Sequence, residues 1–348
     1  MAFLRPLIIE NSTMKPSPFH QESGNSVNLK QLYPHSNIIL FSYARYAFLE
    51  ALKQHAIKSI YLPSFICRDM LSPINTLKIK YFFYEVNQKL EPQLEDIQCD
   101  AILMVNYFGF EQPIAPFLNY KEKYNALIIE DNAHGLFSKD RTGNFLGTQG
   151  DLGLLSIRKT IFLPNGAALL VNSKSLKNSS YTSALVQKTP EDERYFSKLR
   201  LKEKIVHQTI GIAVVLIRRA LRLIRTGSTL PLPDPMSEQE LPSNSYVTPL
   251  LAKGSLPIDM DKEVARRIQM YHAVEKWAER FEIKPIFSLY KGVSPYEFAF
   301  IDNGKAGEFE RFLFSKGFFI LPWPDLPNET MSTYPGFYKN IKVVPFLW

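Results

Sequence analysis

Between residues 37 and 172, short apolar runs alternate with stretches whose apolar residues recur at helical intervals. The runs 38–41 (IILF), 59–63 (SIYLP), 78–85 (KIKYFFYE), 101–106 (AILMVN), 126–130 (ALIIE), 153–156 and 167–171 (AALLV) predict strands. Residues 45–55 carry a helical apolar stripe, and shorter helices are predicted around 68–74 and 114–123. Strands that are apolar throughout must be buried on both faces, so the pattern predicts an α/β fold with a mainly parallel sheet. In such sheets ligands bind beyond the carboxyl ends of the strands.

The flanking segments differ. Residues 1–30 are polar and turn-rich and read as a loosely structured arm. Residues 198–225 hold eight Lys/Arg and one Glu around an apolar centre. They predict a helix in the core or at a dimer contact, in preference to one lying on a membrane surface. Residues 227–249 are rich in Pro and Ser and read as a linker. Beyond them come a strongly periodic helix (259–281), a strand near 296–301, a helix at 307–316, a strand at 318–321 and the loop 322–327, a compact α+β module. The predicted organisation is an arm (1–30), a large domain (31–230) and a small C-terminal domain (231–348).

Composition narrows the class. With 348 residues, 45% apolar and 13% aromatic, the chain has material for a large core, which excludes disorder as its dominant state. The net charge of +7 suits an anionic ligand, but the basic residues are mostly scattered and do not point to nucleic acid. The only cysteines, Cys67 and Cys99, give neither a disulfide framework nor a metal-ligand spacing, as expected of a cytoplasmic protein. The N-terminal MAFLRPLII is broken by Arg5 and Pro6 and lacks a signal peptide's apolar stretch. The longest apolar run, 209–217, is too short to span a bilayer.

Three constellations carry candidate chemistry. Glu130 and Asp131 end a predicted strand, and His134 follows Asp131 by three residues. Lys159 lies in GDLGLLSIRK between two strands of buried character, and a lysine of depressed pKa is the group that condenses with an aldehyde. In Phe41-Ser42-Tyr43-Ala44-Arg45 a strand passes into a helix, whose free N-terminal amides suit a phosphate. His20, His35, His55, His207 and His272 read as surface or core residues, and Trp323 as packing.

Taken in order, the strand–turn–helix phosphate cup, the strand ending in Asp131 and the Ser-x-x-Lys at 156–159 resemble the fold-type I pyridoxal-phosphate (PLP) enzymes. The chain is most similar to the DegT/DnrJ/EryC1/StrS family of sugar aminotransferases, through EDNAH, GDLGLLSIRK and PNGAALLV. The resemblance implies a PLP-binding large domain and a homodimer with active sites at its interface. It also implies an amino transfer from an amino acid to a keto sugar, one attached to a nucleotide. In this likeness Lys159 matches the lysine that forms a Schiff base with the cofactor, and Asp131 the carboxylate on the pyridinium nitrogen. His134 matches the position beside the phenolic oxygen, where the family usually has Gln. Tyr43, Ala44 and Arg45 fall on the phosphate cup, and Ser156 matches a hydroxyl near that phosphate. The segment containing Phe65 and Cys67 matches the one whose aromatic residue stacks on the ring. The direct match is Cys67, so either Phe65 provides the stacking or the stacking is weak. The DxAH form also resembles α-oxoamine synthase-like acyltransferases of the same fold. The altered phosphate cup leaves a non-catalytic binding module as a further alternative.

Overall fold

The computed structural model describes residues 26–346, apart from 162, 178, 208–210, 228–233, 244, 257 and 317. Residues 1–25 of the predicted arm lie outside the described residues. The predicted strands form one sheet: β1 (Asn37–Phe41), β2 (Ser59–Pro63), β3 (Lys80–Val86), β4 (Ala101–Val105), β5 (Leu127–Asn132), β6 (Leu152–Leu155) and β7 (Ala167–Val171). Their spatial order is β1-β7-β6-β5-β4-β2-β3, with the short strand Pro92–Gln93 on the far edge. The run from β6 to β3 is parallel. β7 is antiparallel to both its neighbours, so the mainly parallel expectation holds with one reversed strand inside the sheet.

Alternation along β7 divides the core. Ala167, Leu169 and Val171 join one apolar cluster and Ala168 and Leu170 the other, so each face of the sheet is covered. Helix α1 (Ala44–Gln54) buries Ala47, Phe48, Ala51 and Leu52 on one stripe. The helix predicted around 68–74 is a 3₁₀ turn, Arg68–Met70, running into α2 (Leu71–Leu77). Lys78 then adopts a left-handed conformation (φ 54°), which delays the next strand to Lys80. Helix α3 (Ala115–Tyr124) connects β4 to β5.

In the segment predicted as one helix over 198–225, the described residues form α4 (Pro190–His207) and α5 (Gly211–Thr226). Its reading as a core helix is corrected: Ile217, Leu221, Leu223 and Ile224 of α5 are exposed. The end of the predicted arm is also better structured than its polarity suggested. Val27–Asn28 pairs with Ser255–Leu256, and Leu29 and Leu32 are buried.

In the C-terminal part, α6 (Met260–Ala278) and α7 (Ala306–Ser315) pack with an antiparallel sheet of β8 (Glu297–Ile301), β9 (Leu321–Pro322) and β10 (Ile341–Pro345), ordered β8-β10-β9. The strand expected at 318–321 is confined to Leu321–Pro322. Phe298, Phe300, Phe309 and Leu313 belong to the same apolar cluster as one face of the large sheet, so the two sheets share a core. No helix among the described residues is long and apolar enough to cross a membrane.

Candidate active site

The chain enters the large sheet at the edge strand β1, crosses to β2, steps outward to β3, and returns to β4 on the other side of β2. That reversal opens a crevice at the carboxyl ends of the strands. A cavity of about 720 Å³, including its open mouth, occupies it. Its walls are the segments that leave β1 (Tyr43, Ala44, Arg45), β2 (Ile66, Cys67, Asp69), β4 (Asn106, Tyr107), β5 (Asp131, Ala133, His134) and β6 (Ser156, Arg158, Lys159). Every residue assigned to the site from the sequence lines this cavity except Phe65.

The two adjacent carboxylates of β5 have opposite fates, because successive side chains of a strand point to opposite faces. Glu130 is fully buried and accepts hydrogen bonds from the amides of Gly147 (2.6 Å), Gln149 (2.7 Å) and Gly150 (3.0 Å), and from Asn106 Nδ2 (2.7 Å). It braces the loop before β6. Asp131 faces the cavity and accepts one hydrogen bond, from the Ala133 amide at 2.9 Å. Burial pushes its pKa up, while the charge of Lys159 and the Ala133 amide pull it down.

Lys159 is placed by the 3₁₀ turn Ile157–Lys159 that follows β6. Gly166 anchors this turn: its carbonyl accepts from the Arg158 amide (3.1 Å), and its own amide donates to the Ser42 carbonyl (2.6 Å). At φ 148° a side chain is disfavoured, and an added Cβ would sit 3.1 Å from Leu251. One glycine therefore ties the lysine to the start of α1. Lys159 Nζ lies 3.1 Å from His134 Nε2. Burial, reinforced by the lysine's charge, holds the His134 pKa well below the ordinary histidine range. The neutral ring and the lysine amine are thus in hydrogen-bond contact. Half-buried Cys67 is pushed up to about 12, chiefly by burial, and stays a thiol.

The rim beside α1 is built for an anion. Tyr43 caps the helix without a side-chain hydrogen bond, and its first turn holds no acidic residue. Arg45 and Arg158 stand at the edge, Arg45 3.4 Å from Asp69 and the Arg158 guanidinium 4.9 Å from the centre of the Tyr43 ring. The buried hydroxyl of Ser42, one residue before the cap, has no hydrogen-bond partner.

Phe65 is the correction. It is fully buried and its ring packs against Tyr338 (5.0 Å), Trp323 (5.5 Å) and Tyr107 (5.6 Å), away from the cavity. A large apolar ring is better buried among aromatics than on a polar wall. The sequence reading also missed contributors. Tyr296, just before β8, lies parallel to the His134 ring at 4.3 Å and 3°. Trp323, read as packing, lines the cavity and meets His134 edge-on at 5.6 Å. Tyr296 is held where its amide donates to the Phe108 carbonyl at 2.8 Å. Phe108 itself adopts a left-handed conformation (φ 55°), an uncommon one for a bulky residue. These contacts join segments far apart in the chain, and no local pattern announces them.

This architecture, a mainly parallel sheet with one reversed strand and a smaller sheet sharing its core, is a fold found among solved aminotransferase structures. Among solved structures the chain is similar to a DegT/DnrJ/EryC1/StrS aminotransferase from Brucella abortus, with TM-score 0.59 and 14% identity over 92% of this chain and 83% of that one. It is equally similar to PseC of Helicobacter pylori, an aminotransferase involved in the biosynthesis of pseudoaminic acid, with TM-score 0.59 and 14% identity over 99% and 93% of the two chains. A Streptococcus pneumoniae protein, Spr1654, in its PLP form gives TM-score 0.58 and 12% identity over 100% and 94%. No protein-family model and no curated protein matches the sequence. At such identities the likeness establishes the shared fold.

Proposed function

We propose that this protein is a PLP-dependent aminotransferase that moves an amino group from an amino acid to a keto sugar, the sugar being linked to a nucleotide. The observation that carries the reading is the pairing of Lys159 with a neutral His134 at 3.1 Å, in one cavity with Asp131 and an uncapped, acid-free helix N-terminus. The similar structures are named as aminotransferases, among them a sugar aminotransferase from Micromonospora echinospora.

The residues present fit PLP. The first-turn amides of α1, Ser156 and the two rim arginines suit its phosphate. Asp131 suits its ring nitrogen, since a buried carboxylate with one hydrogen bond gains most from a positive partner. When bound, the cofactor supplies an aldehyde for Lys159 and an electron-withdrawing ring. The protein's part is then positional and protic. Asp131 holds the proton on the ring nitrogen. His134, neutral and flanked by Tyr296 and Trp323, gives the lysine a fixed hydrogen-bond partner and orients Nζ. Lys159, released by the amino donor, takes the donor's α-proton and returns it one atom away, as base and then acid. The chain's charge of +7 favours a diphosphate-bearing acceptor over a neutral one.

The test is an absorbance titration of the purified protein with PLP, for wild type and Lys159→Ala, before and after borohydride. A band near ~420 nm that borohydride fixes in wild type only is the expected result. Amino donors are then screened for bleaching of that band. Absence of a band at every PLP concentration would overturn the enzyme reading and leave a non-catalytic binding module.

A further inference from the structure

Helix α5 is amphipathic, but its apolar side faces solvent. Ile217, Leu221 and Ile224 recur at i, i+4 and i+7 and are 58%, 47% and 81% exposed. In a globular protein such a stripe is normally the buried one. On the helical wheel Arg225, Arg218 and Arg222 fall about 80–140° round from Ile217, along one flank of the stripe, and Arg219 lies on the far side. The charge is one-sided as well. From Glu203 to Asp234 the sequence contains Lys204 and these four arginines, and no acidic residue between.

We propose that α5 is a docking element for an anionic lipid surface, lying in the plane of the interface with Ile217, Leu221 and Ile224 dipped among the acyl chains and the arginines at the headgroups. The apolar face and the basic arc together are the two requirements for interfacial binding. The sixteen described residues of α5 span about 24 Å, enough to lie along a bilayer, and no helix among the described residues is long and apolar enough to cross one. A second copy of this chain fits less well. A two-fold contact sets the same patch against itself, which brings like charges together. The proposal is independent of the PLP chemistry, because none of its residues lines the cavity.

The test is co-sedimentation of the full chain with vesicles of phosphatidylcholine alone and of phosphatidylcholine with phosphatidylserine. Binding to the anionic vesicles that falls as salt rises, with little binding to the neutral ones, is expected. Each basic residue near an anionic surface is worth about fivefold in affinity. Arg222→Glu/Arg225→Glu should therefore bind at least about 25-fold more weakly. Ile217→Ser/Ile224→Ser keeps every charge and should also release the protein, which separates insertion from simple attraction. All variants should keep wild-type circular dichroism and the PLP band. Equal sedimentation with both lipid mixtures, or wild-type binding by the double-Glu variant, would overturn the proposal. So would a wild-type dimer in sedimentation velocity that Ile217→Ser/Ile224→Ser converts to a monomer, since the face would then belong to a second copy.

Discussion

Glu130→Gln set beside Asp131→Asn tests whether strand alternation has split two neighbouring carboxylates into a brace and a reagent. Each oxygen of Glu130 accepts from two donors: Oε1 from the Gly147 amide and Asn106, Oε2 from the Gln149 and Gly150 amides. A glutamine keeps one acceptor oxygen and turns an NH2 toward the other pair of donors. Two buried donors then lose their partner at about 1–3 kcal/mol each. Relief from burying a charge offsets part of this, since burial already pushes the Glu130 pKa up. The expected net loss is about 2–4 kcal/mol. With about 2.1 cal/mol/K of unfolding entropy per residue, this 348-residue chain loses about 1.4 °C per kcal/mol, so Tm should fall by roughly 3–6 °C. Asp131→Asn removes a carboxylate with one hydrogen bond, so its Tm should move by no more than about 1 °C while its amino transfer is abolished. Differential scanning calorimetry and the PLP absorbance titration, run on both variants, read the two outcomes. If Glu130→Gln keeps its Tm and Asp131→Asn loses it, the division of labour argued from β5 is wrong.

Three further outcomes follow from the geometry. Burial raises the Glu297 carboxyl from 4.5 to about 8, and its Oε2 has no hydrogen-bond partner. The folded chain therefore keeps a proton that the unfolded chain releases above about pH 4.5, and stability declines as pH rises toward 8. Glu297→Gln should flatten that decline in a Tm-against-pH series, and parallel profiles for variant and wild type would refute the assignment. Gly153→Ala places a methyl group 2.0 Å from the Gly147 carbonyl oxygen, on the brace beside β6. It should cost about 3 kcal/mol or more in urea denaturation. Trp323→Ala removes a half-buried indole that packs on Phe108 at 4.7 Å and on His134 at 5.6 Å. A stability loss near ~2 kcal/mol is expected, with the PLP band retained and the KM for the acceptor raised; an unchanged KM would remove Trp323 from the substrate side of the cavity.

The sequence by itself determined the large sheet and most of the site. Runs such as AILMV and AALLV are apolar at every position, and only a strand buried on both faces accommodates that. Once those strands are placed, Ala44, Arg45, Asp131, Ser156 and Lys159 follow, because each sits within a few residues of a strand's carboxyl end. Tertiary structure alone decided what depends on contacts between distant segments. Nothing around Phe65 says that its ring turns into a cluster with Tyr107, Trp323 and Tyr338 instead of onto the cavity wall. Nothing around Tyr296 says that it stacks on a histidine 162 residues earlier. The 198–225 segment shows the same limit from the other side. Its periodicity gives the helix and its apolar stripe, but periodicity carries no information about what covers that stripe. In the fold the stripe is left facing solvent, because both faces of the large sheet are already filled by their own clusters.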